Sequence, residues 1–144
     1  MTKHMDDIVA LASPPGPSAL ALIRLSGNNL KKTYKRLTKK KAVDRLATYS
    51  KIYDPNNNNI LDESIITYFK KPYSFTGEDI IEISCHGGDI IANSIIKAII
   101  FSGARHAVQG EFSLRAFYNG KIDLLQAESI NELIKAKNQT TTNI

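Results

Sequence analysis

Cysteine occurs once in this chain, at Cys85, and tryptophan not at all. One thiol closes no internal disulfide, so the fold must rest on a packed core, and the chain suits a reducing compartment. Long apolar runs are missing: the longest extend over a few residues, far short of the roughly 20 that cross a bilayer as a helix. The start MTKHMDDIVALA lacks the apolar centre of a secretion signal, so the expected location is cytoplasmic. Histidine is scarce, and His4, His86 and His106 have neither ligand spacing nor a partner cysteine, so no metal site is expected. A nucleotide phosphate loop is also missing. The lone Asn119-Gly120-Lys121 is followed by Ile122 rather than a hydroxyl residue, and it has no upstream glycine at the required distance. No internal repeat is visible, and the run Asn56 to Asn59 is the one low-complexity stretch.

What remains is an ordinary globular composition in 144 residues, with 42% hydrophobic and 23% charged side chains, enough for one core. The formal net charge of +5 is unevenly spread. Lys31, Lys32, Lys35, Arg36, Lys39, Lys40, Lys41 and Arg45 crowd one short segment. Such a patch meets nucleic-acid phosphates or simply forms a solvated helix face. No stacking aromatics interleave it, since Tyr34 sits where packing explains it better, and this favours the solvated face.

The pattern along the chain predicts a mixture of strands and helices. DIVALA ends at the breaker SPPGPS, and ALALIRLSG reads as a second strand. Leu30, Tyr34 and Leu37 recur at helical spacing and predict a short helix with its lysines outward. ATYSKIYD and ILDESIITYF flank an asparagine-rich turn and predict a hairpin. KKPYSFTGE is a loop, DIIEISCH a strand, and Asp89 is placed to cap a helix that runs to about Phe101. ARHAV is a weak strand. EFSLRAFYNG predicts a short helix, and DLLQAESINELIKA opens a longer amphipathic one with Leu124, Ile130, Leu133 and Ile134 apolar. That helix ends almost with the chain, so a truncated protein or cover from a second copy is expected. The class is α+β with a mixed sheet.

The stretch EDIIEISCHGGD gathers the residues most suggestive of chemistry. Alternation along a strand puts Ile81, Ile83 and Cys85 on one face and Ile80, Glu82, Ser84 and His86 on the other. Cys85 should be a small buried hydrophobe, pointing away from His86, so a nucleophile–base pair fails on geometry. HGGD before a helix invites an anion site, but Asp89 at its mouth would repel phosphate. Glu82 is the odd residue. It lies on an exposed sheet face, or pairs internally with Arg24, or faces a ligand as a carboxylate accepting two N–H groups from a flat amidine-like edge.

DDIVALASPPG, ALIRLSG, LDESIITYF, PYSFTGEDIIEISCHGG and GEFSLRAFYNGKIDLLQAESINELI follow one another at tight spacings. From about Asp7 to Ala136, this series resembles the N-terminal domain of the tRNA-modification GTPase family MnmE, also called TrmE. The resemblance implies a mixed sheet with packed helices, similar to the tetrahydrofolate-binding part of aminomethyltransferases. It places the folate-binding and dimerisation domain at 1–120 and the first helix of a helical domain at 121–144. It also implies a 5-formyl- or methylene-tetrahydrofolate near a homodimer interface, with Arg24, Glu82 and Lys121 as contacts and no catalytic side chain of its own. In such a family GTP, Mg and K belong to an inserted GTPase domain. A flavin-bearing MnmG-type partner completes the carboxymethylaminomethyl modification of wobble uridine in tRNA.

Two departures touch that expectation. The family's loop after PPG is usually glycine-rich, whereas Pro17, Ser18 and Ala19 follow Gly16 here, and this restricts the backbone near a ligand. Gln109 stands where the family tends to have proline before the GEF glycine. With no GTPase motif and no C-terminal cysteine motif, the chain is expected to be part of a longer enzyme and not catalytic alone. Two other readings stay open: a basic RNA-docking module, and a dimerisation domain whose altered loop has lost folate.

Overall fold

A computed structural model describes residues 6–14, 16 and 20–129. Nine elements follow in order: β1 (Ile8–Leu11), β2 (Leu20–Gly27), α1 (Lys31–Thr38), β3 (Thr48–Tyr53), β4 (Ile60–Phe69), β5 (Asp79–His86), α2 (Asp89–Phe101), β6 (Arg105–His106) and α3 (Glu111–Tyr118). Residues 124–129 begin a further helix. The strands form one six-stranded sheet in the order β3-β4-β5-β2-β1-β6. Only the edge pair β1 and β6 runs parallel, which makes the sheet mixed and the class α+β.

The alternation along β2 and β5 separates the two faces of the sheet. Ile23, Leu25, Ile81, Ile83 and Cys85 have no exposed surface, and they join Ile52, Ile66 and Tyr68 in the core. Helices α1 and α2 close this face through Leu30, Tyr34 and Leu37 from one and Ala92, Ile95, Ile96 and Ile99 from the other. Tyr34 meets Tyr68 edge-on, with ring centroids 6.4 Å apart. No residue of its own sequence caps α1. Its first amide partner is instead the Asp79 carboxylate, which accepts from the Leu30 N–H at 3.0 Å.

The hairpin β3–β4, the helix Asp89–Phe101 and the short edge strand at Arg105 fall where the sequence pattern puts them. The cap of α2 differs. Gly88 takes the N-cap position with no side-chain bond, and Asp89 is already helical. The Asp89 carboxylate instead accepts the Gly16 N–H at 2.9 Å and ties the helix start to the loop before β2. The next helix is capped as a reciprocal box: Asp123 Oδ1 accepts the Gln126 N–H at 2.7 Å, and Gln126 Oε1 accepts the Asp123 N–H at 3.0 Å. Pro17, Ser18 and Ala19, the apolar positions Ile130, Leu133 and Ile134, and most of the expected second unit at 121–144 lie outside the described residues.

Candidate functional site

The sheet face away from α1 and α2 carries polar groups at its centre. Arg24 on β2 stands directly opposite Glu82 on β5, and Thr67 of β4 faces Glu82 from the other side. Both Nε and Nη2 of Arg24 donate to one oxygen, Glu82 Oε2, at 2.9 and 2.7 Å. Glu82 Oε1 accepts no hydrogen bond among the described residues. Their side chains are 32% and 28% exposed, so the pair is open to a ligand on one side.

Arg24 and Glu82 line a cavity of about 510 Å³. Its other walls are Ile80 and Phe69, which are cross-strand partners, and Tyr73, Ser74 and Phe75 of the loop between β4 and β5. Arg45, from the segment leading into β3, completes the lining. This combination of flat apolar walls with a few convergent polar groups is typical of a small-molecule site.

The wall formed by residues 70–78 is anchored at both ends. At its start, Asp44 Oδ1 accepts the Lys70 N–H and Asp79 Oδ1 accepts the Lys71 N–H, at 2.8 and 2.9 Å. At its end Glu78 enters a buried network. Its Oε1 accepts from Arg115 Nη1 at 2.9 Å and from Ser26 Oγ at 2.8 Å. Arg115 is 1% exposed and also pairs with Glu111 one turn earlier on α3. Arg105 and the Val108 N–H complete the bonds to Glu111. Gly77 sits between these anchors with φ of 81°, and a Cβ there would lie 2.7 Å from Asn119 Cβ. Glycine is required on both counts.

Burial pushes the Glu111 carboxyl up, but the hydrogen bonds from Arg105 and Val108 outweigh it, and Glu111 is held below its usual value. Asp7, under the β2 end, is pushed up chiefly by burial. Burial also raises the Cys85 thiol, whose Sγ contacts Ala21 O at 3.5 Å. His86 is exposed on the opposite face and pairs with Asp62 at 2.9 Å, so Cys85 and His86 form no dyad.

Of the residues singled out from sequence, Arg24 and Glu82 come together and line the cavity. Lys121 is exposed beyond α3 and is not part of its lining. The eight cations from Lys31 to Arg45 are all exposed, those of α1 opposite its buried Tyr34 and Leu37, and Arg45 among them lines the cavity. Sequence reasoning placed Arg45 in the basic run rather than in a cavity, and it passed over Phe69, Tyr73 and Phe75 as lining. Two aromatics in the short loop KKPYSFTGE were the available signal, and the structure leaves Tyr73 and Phe75 69% and 47% exposed.

Residues 7–121 match the family model described as the GTP-binding protein TrmE N-terminus. The chain belongs to that family. Similar proteins include the "tRNA modification GTPase MnmE" of Fervidobacterium nodosum, 48% identical over 142 residues, and that of Sulfurimonas denitrificans, 46% identical over 140. The Legionella pneumophila protein of the same name is 48% identical over 137 residues. These alignments cover 94%, 96% and 94% of this chain but only 31%, 31% and 30% of the relatives. The chain thus spans about a third of the length of the TrmE proteins it matches. Among its described residues no helix is long and apolar enough to cross a membrane.

Proposed function

We propose that this TrmE N-terminal chain binds a reduced folate carrying a one-carbon unit in the cavity over Arg24 and Glu82. The observation that carries this reading is Glu82 itself. One oxygen is held by Arg24 and the other has no partner among the described residues, on the floor of a cavity with aromatic walls. A pterin edge presents an N–H and an amino group side by side, and a carboxylate with two accepting oxygens complements it. Arg24 orients the carboxylate and offsets its charge, while Phe69, Tyr73 and Phe75 offer surfaces for a flat ring. The bound folate would supply the one-carbon unit, and the chain's own residues bind and orient it. A role for Lys121 rests on the family resemblance.

In the longer protein we assign this chain to homodimerisation as well. There it would serve the modification of wobble uridine in tRNA, with GTP hydrolysis in another domain and a flavin-bearing partner, in the cytoplasm. The names of the relatives support tRNA modification and GTPase activity for the whole protein. Isothermal titration of the chain with 5-formyl-tetrahydrofolate tests the reading: saturable binding that Glu82→Gln weakens is expected, and no binding of any reduced folate overturns it. The exposed lysines of α1 favour one rival, an RNA-docking surface. Salt-sensitive tRNA binding that ignores folate is the result that would support it.

A further inference from the structure

We infer that Arg45 is the carboxylate receptor of this cavity and makes it selective for a pterin bearing an acidic tail; the inference rests on the folate reading above. Arg24 spends two donors on Glu82, so it offers a tail little. Arg45 is the other cation of the lining. The acid nearest to it is Asp44, 3.9 Å from Nε, and that aspartate already receives the Lys70 N–H. Among the described residues Glu82 makes no ion pair with Arg45. The guanidinium therefore keeps donors free on a half-exposed side chain.

Backbone geometry points the same way. Arg45 has φ of 61°, left-handed and uncommon for a side chain of this size. Its N–H donates to Tyr68 O at 2.7 Å, beside the bridge between Asp44 and Tyr68, so the strained residue is pinned to β4. From there the guanidinium lies 5.5 Å from the Phe69 ring centre and donates Nη2 to Tyr73 O. A planar fork held against an aromatic wall presents its remaining N–H groups in the geometry that a carboxylate accepts. The cavity then offers an acceptor, Glu82, to the ring edge and a donor, Arg45, to the tail.

The test compares two ligands that differ in the tail: 5-formyl-tetrahydrofolate, with its glutamyl carboxylates, and 6-methyltetrahydropterin, without them. Arg45→Gly removes the guanidinium and suits the left-handed backbone, and thermal melting checks that the fold survives the loss of its contact to Tyr73 O. Arg45→Lys keeps the charge and loses the fork. Titration calorimetry should show Arg45→Gly weakening the folate about tenfold or more while changing the pterin by about twofold or less. Arg45→Lys should fall between. An equal loss for both ligands, or no loss for either, overturns the inference. If the unmodified chain binds both ligands equally, Arg45 recognises no tail and the folate reading stands. If it binds neither, the folate reading itself fails.

Discussion

Glu82 is where the single side chain speaks most directly to function. Glutamine at 82 keeps the shape but turns one acceptor into an NH₂ that opposes a ligand donor. Charge-assisted hydrogen bonds contribute about 1.5–3 kcal/mol each, so Glu82→Gln should weaken reduced-folate binding roughly ten- to a hundredfold. Titration calorimetry measures this, and denaturation should show little change in stability. The reverse pattern, normal binding with easier unfolding, would make the Arg24–Glu82 pair purely structural. Cys85 makes the contrasting case. Cys85→Ser should leave binding intact and cost about 1–3 kcal/mol, nearer the lower end because Ala21 O is placed to accept the hydroxyl. Chemical denaturation followed by folate titration checks both. Glu82 stood out in the sequence because an acid between isoleucines in a strand needs a partner. Arg45 did not, because one arginine at the end of a lysine-rich run looks like its neighbours.

The loop 70–78 and α3 act as one element, joined by the buried Arg115. Arg115→Met would leave Glu78 buried without its guanidinium, while Glu111 keeps that of Arg105. Removing one member of a buried pair costs about 3–5 kcal/mol, and urea unfolding should register that loss. Glu111 also sets an acid limb. Its folded value lies below the usual 4.5, so its contribution is present above that pH and is lost as pH falls through the lowered value. Asp7 acts oppositely: raised above 3.8, its contribution is present below that and is lost as pH climbs through the raised value. Urea midpoints between pH 7 and 3 should fall on acidification, and Glu111→Gln should be weaker at neutral pH with a shallower fall. A steeper fall in that variant would contradict the assignment. The sequence pattern located the loop and both short helices, but nothing in EFSLRAFYNG announces that its arginine turns inward.

For the chain as a unit, self-association is the expected behaviour. Leu114, Tyr118, Leu124 and Leu125 are between 46% and 72% exposed near the end of the described residues, and Leu20 and Ile65 are exposed on the sheet. Apolar surface on this scale asks for cover. Sedimentation velocity should show a concentration-dependent dimer, and a monomer at every concentration would count against that role. GTP binding by this chain is not expected, because its sequence has no phosphate loop. A fluorescent GTP analogue should give no saturable signal, and saturation would show that other groups hold its phosphates.

The order of strands and helices, the hairpin around Asn56 to Asn59 and the faces of β5 follow from local pattern, because side-chain period and turn residues act over a few positions. The same is true of buried Cys85 set apart from His86. Which strands become neighbours is a different matter. β2 lies between its sequence neighbour β1 and the distant β5, because two apolar faces must be buried against the same pair of helices. That placement sets Arg24 opposite Glu82. The tertiary fold also brings Arg45 onto Phe69 and Arg115 onto Glu78, contacts that span long separations and carry no local signature. The cavity exists only where these distant segments converge, so its floor was partly visible in the sequence and its walls were not.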